Sequence, residues 1–176
     1  MESIEEFVEI LKRTEVFVGL NDEELKIVAA LPSMRLRVFE AGQVVSAEGD
    51  PAEDLYVLVD GKVELRLPVQ FGMGDEKREI TVDTVHKGSI FGWSALVPPY
   101  SFNRTSVCVE TSTVLSVNGK ELIKIMDLNE HIGYEIMRSI ACVIASRLRT
   151  PNNYFWAELL KLRNEATRKT SPEVTH

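Results

Sequence analysis

The spacing of the hydrophobic residues changes twice along this 176-residue chain, and this change constrains the fold more than any other feature. Between Met34 and Val117 the apolar residues come in short runs of strand length. Glycines separate these runs at intervals suited to turns, namely Gly42, Gly49, Gly61, Gly72, Gly74, Gly88 and Gly92. Many short strands joined by regular turns predict an antiparallel sandwich or a rolled barrel. Residues 33–118 are therefore expected to form an all-β block.

Helical spacing precedes the β block. Residues 1–32 contain Ser3 three positions before Glu6, and Asn21 three positions before Glu24. Each pair has the spacing of a capping box and is followed by an amphipathic run, so two N-terminal helices are expected. Pro32 should end the second one.

Helical spacing returns after the β block, where residues 119–150 are expected to form the C-terminal helices. One stripe of the long helix contains Ile132, Ile136, Ile140, Val143 and Arg147. Because the apolar face is broad, one side of it should pack on the chain's own domain and the other on a partner, and we expect this stripe to form a homodimer interface. Pro151 should end the helix. Residues 151–163 are expected to form a short terminal helix, and residues 164–176 a disordered polar tail.

A turn signal lies inside the β block. Two apolar runs, 55–59 and 63–67, flank Asp60-Gly61, and this dipeptide between two strands is a strong hairpin signal. We therefore predict that the two strands pair with each other. Residues 68–78 contain a proline, two glycines and a charged run, and they are predicted to form a loop.

Charge and composition exclude several classes of function. The formal net charge of −7 argues against broad attraction to nucleic acid or to an anionic membrane. The chain lacks an apolar run long enough to cross a membrane and a basic-then-apolar start, so a cytoplasmic location is expected. Two cysteines are too few for a disulfide scaffold. The histidines (His86, His131 and His176) are isolated, and no catalytic triad is evident. Neither a metal site nor an enzyme is expected.

One segment has the features of a phosphate cradle. Phe91 and Gly92 precede Trp93, Ser94, Ala95 and Leu96, and Arg104 follows with Thr105 and Ser106. A glycine that opens a helical turn presents free backbone N–H groups, and an arginine can bind the same anion with two N–H groups. The spacing therefore indicates an anion-binding site.

This segment resembles the phosphate-binding cassette of cyclic nucleotide-binding domains, such as the catabolite activator family and the regulatory subunits of cyclic-AMP-dependent kinase. The ordered glycines, Leu55-Tyr56 and Asp60-Gly61-Lys62-Val63 extend the resemblance from Phe17 to Arg149. It implies a mainly β fold with flanking helices. This fold is a double-stranded β-helix, or jelly-roll-like β-roll, with N-terminal helices, a short cassette helix within 91–107 and a long C-terminal helix.

The resemblance also implies a ligand and the residues that bind it. The ligand would be cyclic AMP, cyclic GMP or another phosphate-bearing anion. Arg104 would bind the phosphate, Thr105 or Ser106 would add a hydroxyl donor, and the N–H groups of Ser94 to Leu96 would complete the site. The alternative for Arg104 is that it pairs with a nearby carboxylate or a loop carbonyl.

Trp93 departs from the family pattern. The family usually has a glutamate at this position, where it accepts a hydrogen bond from the ribose 2′-hydroxyl. Trp93 either fills the pocket, which leaves a ligand-free interaction or dimerisation module, or lines a pocket for a different anion. In the family the base is contacted by a lid after the long helix, which would place Asn152, Tyr154 and Trp156 near it. Alternatively these aromatic residues pack back on the barrel.

The expected function is that of a non-enzymatic sensor module that signals through its C-terminal helices to a protein partner. Only 26 residues follow Thr150, which is too few for the winged helix of the family's transcription factors, so no DNA-binding domain is expected. A nucleic-acid-associated factor that uses the basic terminal residues is the third alternative.

Overall fold

The computed structural model describes residues 3–70 and 77–149. Two helices begin the chain, α1 (Ile4–Leu11) and α2 (Asp22–Ala29). The hydroxyl of Ser3 accepts a hydrogen bond from the Glu6 N–H at 3.1 Å. Asn21 and Glu24 form a complete capping box at the start of α2. Both N-terminal helices therefore begin where their capping residues predict.

Eight strands follow in two antiparallel four-stranded sheets, ordered β1-β8-β3-β6 and β2-β7-β4-β5. Their bounds are β1 Arg35–Phe39, β2 Val44–Ser46, β3 Asp54–Asp60, β4 Val63–Gln70, β5 Lys77–Val85, β6 Ile90–Phe91, β7 Thr105–Cys108 and β8 Ser112–Asn118. The C-terminal helices are α3 (Gly119–Leu128) and α4 (Glu130–Arg149). The predicted fold class, a β-roll with flanking helices, is confirmed.

The predicted pairing across Asp60-Gly61 is wrong. β3 pairs with β6 and β8, whereas β4 pairs with β5 and β7 in the other sheet. The chain crosses from one sheet to the other at Gly61, whose φ is +91°. A Cβ at Gly61 would lie 2.7 Å from the Cα of Ser112, so only glycine fits this close crossing.

The predicted loop at 68–78 is also shorter than expected. β4 continues to Gln70 and β5 starts at Lys77. Pro68 is accepted within β4 because β7 pairs with that strand only from Val63 to Arg66. Beyond that point β4 has only β5 as a neighbouring strand. On its other side no strand needs a backbone N–H from residue 68, so a proline is tolerated there.

The buried side chains form two clusters. One lies inside the roll, and the other joins the N-terminal helices, the first sheet and α4. Ile132, Ile136, Ile140 and Val143 belong to the second cluster and are at most 7% exposed. These residues are therefore core of their own protomer, and the expectation that they form the dimer interface is corrected. The stripe is apolar because α4 packs on the roll, and core and interface stripes have the same helical spacing.

No helix in the described part of the chain combines the length and apolarity needed to span a membrane.

Candidate functional site

The cassette forms a tight turn directly after β6. Gly92 has a φ of +72°, and a Cβ there would lie 2.8 Å from a ring carbon of Tyr56. Residues 93–95 then form a single 3₁₀ turn. Tyr56 itself is buried and stacks on Phe91 and Phe102, with ring centroids 5.0 and 6.3 Å apart. Both the backbone conformation and the close ring of Tyr56 require glycine at position 92.

Only part of the predicted set of backbone donors is available. The N–H of Ala95 donates to the Gly92 carbonyl and that of Leu96 donates to the Trp93 carbonyl, each at 3.0 Å. The side chains of Ala95 and Leu96 are buried in the core. The N–H of Ser94 has no hydrogen-bond partner in the described part of the chain. The N–H groups of Ala95 and Leu96 therefore close the turn in this structure, and their binding to an anion stays a prediction.

Arg104 lies immediately before β7 and is half-buried. Its guanidinium forms no hydrogen bond or ion pair with any residue among 3–70 and 77–149, so the ion-paired alternative is not observed there. It lines a cavity of about 170 Å³ together with Gly92, Trp93, Ser94 and Ser106. We call this space the cassette cavity.

A second cavity of about 380 Å³ adjoins the first, and Arg104 and Arg147 line both of them. It is bordered by Val82, Asp83 and Thr84 of β5, and we call it the β5 cavity. Helix α4 covers the two cavities, because Ile144 and Leu148 line the first and Val143 and Ser146 line the second. Together they form one cleft between the roll and α4.

Arg147 ties α4 to the roll. Its Nε lies 3.2 Å from Oδ2 of Asp83, and its terminal nitrogen donates to the Ile90 carbonyl at 2.5 Å. Its side chain is only 17% exposed. Burial holds the pKa of Arg147 below its usual value; the nearby Arg104 adds to this lowering, while Asp83 and Glu15 oppose it. An anion placed between the two arginines would relieve their repulsion.

The two hydroxyls predicted to bind phosphate have different surroundings. Ser106 lines the cassette cavity and accepts a hydrogen bond from the Ser46 hydroxyl at 2.9 Å. Thr105 is absent from the residues lining either cavity of the cleft, and its hydroxyl accepts from the Glu48 N–H at 3.1 Å. Successive side chains of β7 alternate between faces, so only Ser106 belongs to the site. Of the two alternatives, Ser106 is the one that lines the cleft, and its binding to phosphate stays a prediction.

Trp93 is half-buried, packs against the larger core cluster and forms part of the wall of the cassette cavity. The indole therefore reduces this cavity without closing it. About 170 Å³ is less than the roughly 300 Å³ at the lower end of small-molecule pockets, whereas the adjoining β5 cavity lies within that range. A ligand of nucleotide size would occupy both.

The predicted lid and the predicted dimer arginine are found in different parts of the chain from each other, and one cleft residue was not predicted at all. The predicted lid residues Asn152, Tyr154 and Trp156 lie outside the described residues. Arg147, which was expected at a dimer interface, lines the cleft. Asp83 was not identified from the sequence. A lone arginine within an apolar stripe was the signal that a buried charge partner such as Asp83 should exist.

Among the described residues, no group of three or more histidine, cysteine or carboxylate side chains could hold a metal ion.

Comparison with known proteins bears on the same region. The family model for the cyclic nucleotide-binding domain matches residues 36–129. A CRP-like cAMP-activated global transcriptional regulator of Mycobacterium tuberculosis is 27% identical over 146 residues, which cover 82% of this chain and 60% of the relative. The cyclic AMP receptor protein of Thermus thermophilus is 27% identical over 142 residues, which cover 79% of this chain and 59% of that relative. The chain thus spans about 60% of the length of these curated relatives.

Solved structures show the same fold. A candidate cyclic nucleotide-binding protein of Geobacter metallireducens matches with a TM-score of 0.66 and 29% identity, over 85% of this chain and 100% of that one. The sensor domain of the transcriptional regulator DNR from Pseudomonas aeruginosa matches with a TM-score of 0.60 and 17% identity, over 81% and 93%. At 17% identity the second match supports the fold alone.

Proposed function

Because the chain belongs to the cyclic nucleotide-binding domain family, we propose that it is a regulatory module that binds a cyclic nucleotide, or another phosphate-bearing anion, in the cleft between the roll and α4. The observation that carries this proposal is Arg104, a half-buried guanidinium with no ion pair among the described residues. A partly desolvated charge without a counter-ion is costly, and a bound phosphate would supply one. Ser106 and Ser94 line the same cavity, and in this proposal the Ser106 hydroxyl and the Ser94 N–H would bind the same phosphate group.

The identity of residue 93 sets an expectation for affinity. A ribose 2′-hydroxyl that meets Trp93 rather than a carboxylate loses one hydrogen-bond acceptor. An unsatisfied polar group costs roughly 1 to 3 kcal/mol, which corresponds to about tenfold to a hundredfold in affinity. We therefore expect weaker binding than in relatives with the glutamate, and a 2′-deoxyribose analogue, which lacks the unsatisfied hydroxyl, should bind at least as tightly as the ribose form.

Calorimetric titration with cyclic AMP and cyclic GMP tests the proposal. The Arg104→Ala variant should lose at least tenfold in affinity because the phosphate loses a charge-assisted contact. Arg37→Ala is the matched control, since Arg37 is an exposed arginine on β1 outside the cleft. Absence of heat with cyclic AMP, cyclic GMP and other phosphate-bearing metabolites, or equal binding by the Arg104→Ala variant, would refute the proposal.

Signalling would pass through α4. Arg147, Ile144 and Leu148 of this helix line the cleft, so a ligand there contacts α4 directly. A ligand that binds one position of α4 more tightly than another shifts the population towards that position. A protein partner would then respond by binding one position of the helix more tightly than another.

We further propose that the module forms a homodimer through a face of α4 that lies beside the core stripe and is exposed at every position except Ile144, which also packs against the core. Residues on this face follow a heptad pattern of alternating three- and four-residue spacing, Tyr134, Met137, Ala141, Ile144 and Leu148. Tyr134, Met137 and Leu148 are 63%, 40% and 80% exposed. This spacing is that of the contact positions in a two-stranded coiled coil. The same face supports the alternative of a ligand-free dimerisation module, which predicts a dimer in solution that binds neither nucleotide.

A further inference from the structure

A β-bulge shapes the β5 cavity. Leu65 of β4 lies opposite Asp83 of β5, but the next residue, Arg66, lies opposite Thr81, so Val82 is the extra residue. Regular strands point successive side chains to opposite faces, yet Val82, Asp83 and Thr84 all line this cavity. Bulges change the direction of a side chain and are frequent beside functional sites. Here the bulge brings the Asp83 carboxylate into the cleft.

Asp83 lies on the same face of the sheet as Ser106, which is at the proposed phosphate end of the site. Leu65 pairs with Ser106 on one side and with Asp83 on the other, so the three residues share one face of the sheet. Two inter-strand spacings separate Ser106 from Asp83, which is about 10 Å. A ligand whose anion lies near Ser106 and Arg104 and which extends along this face would place its far end beside Asp83.

The contacts of Asp83 would change when an anion binds. Its Oδ1 accepts from the Thr84 N–H at 2.9 Å, and its Oδ2 pairs with Arg147 at 3.2 Å. An anion between Arg104 and Arg147 competes with Asp83 for the Arg147 guanidinium. Asp83 is only 29% exposed, so loss of this partner would leave a partly desolvated carboxylate in need of hydrogen-bond donors. A matching ligand brings an anion at one end and N–H donors at the other.

We propose that Asp83 determines the base specificity of the cleft and that it selects guanine over adenine, so that cyclic GMP is preferred to cyclic AMP. This inference rests on the proposed function, because it assumes that a cyclic nucleotide binds with its phosphate at Arg104. A carboxylate only accepts hydrogen bonds. Guanine presents two adjacent donors, N1–H and the 2-amino group, whereas adenine presents one amino group beside the acceptor N1, which a carboxylate repels.

Titration of the unmodified protein with three nucleotides tests the preference without any mutation. Cyclic GMP offers both donors, cyclic IMP only N1–H, and cyclic AMP a donor beside an acceptor. A bidentate contact discriminates by about 1 to 3 kcal/mol, so cyclic GMP should bind roughly tenfold to a hundredfold more tightly than cyclic AMP. Cyclic IMP should lie between them. Equal affinities, or tighter binding of cyclic AMP, would overturn the inference while leaving the proposed function intact.

The Asp83→Asn variant assigns the preference to this residue. Its amide presents an NH₂ donor group beside a carbonyl acceptor, which complements adenine, so the ratio of the two affinities should fall to about one or reverse. Asp60→Asn is the control because it removes a carboxylate from an exposed ion pair with Lys87 outside the cleft. Thermal unfolding of both variants verifies folding. A preference that persists in Asp83→Asn refutes the assignment, and absence of binding by every cyclic nucleotide to the unmodified protein refutes this inference together with the cyclic nucleotide as the ligand of the proposed function.

Discussion

Replacing Ile140 by alanine separates the core role of α4 from an interface role. Ile140 is 2% exposed and packs in the larger cluster. The substitution removes three carbon groups, which corresponds to about 2.4 kcal/mol at roughly 0.8 kcal/mol for each buried group. The cavity left behind adds to this loss, and measured costs of such truncations lie at about 2 to 5 kcal/mol. We expect the free energy of unfolding to fall by about 3 kcal/mol.

Urea denaturation measured by circular dichroism at two protein concentrations gives the test. If Ile140 is core, the midpoint should fall by the same amount at both concentrations, and the melting temperature should fall by roughly 10 °C for a chain of this size. Leu128→Ala is the control at a site on α3 that is 73% exposed, where truncation should change the free energy of unfolding by less than about 0.5 kcal/mol. An Ile140→Ala variant of unchanged stability but altered oligomeric mass would refute the assignment of this stripe to the core.

Two further substitutions test the cassette and the exposed face of α4. Gly92→Ala should destabilise the protein by more than about 2 kcal/mol, because left-handed backbone costs roughly 1 to 2 kcal/mol for other residues and the new methyl group also meets the ring of Tyr56. Gly42→Ala is the control, because Gly42 has a similar φ of +86° but no atom lies within 4 Å of the added carbon. Chemical denaturation should therefore show a smaller loss of stability for Gly42→Ala, and equal losses would contradict the steric argument. Met137→Glu should convert the proposed dimer to a monomer in light scattering, because it places a charge at a contact position of the heptad. Leu128→Glu, at an exposed site on α3, should leave the mass unchanged, and a dimer that survives Met137→Glu would exclude this face.

The sequence predicted the type of each segment better than the contacts between segments. Caps at Ser3 and Asn21 determine where α1 and α2 begin, because each cap acts within a few residues. The signal at Asp60-Gly61 correctly marks a turn, but the pairing depends on β7 and β8, about 50 residues further along the chain, and no local pattern carries that information. The same difference separates the two site residues. Arg104 can be identified from its position within the local cassette, whereas the place of Asp83 in the cleft depends on a β-bulge and on an arginine 64 residues away in the sequence, Arg147.

Two residues of α4 would contact both a ligand in the cleft and a second α4 helix, so binding of the ligand and dimerisation should affect each other. Ile144 and Leu148 line the cassette cavity and also occupy contact positions of the exposed heptad. A ligand in the cleft and a second helix on this face would therefore contact the same turn of α4. If the ligand stabilises one position of that turn, it changes the affinity for the second helix, and by thermodynamic linkage dimerisation changes the affinity for the ligand by the same factor. Because each dimer would bind two nucleotides, the dimer dissociation constant measured with and without saturating nucleotide should then differ by the square of the ratio between the nucleotide affinities of monomer and dimer.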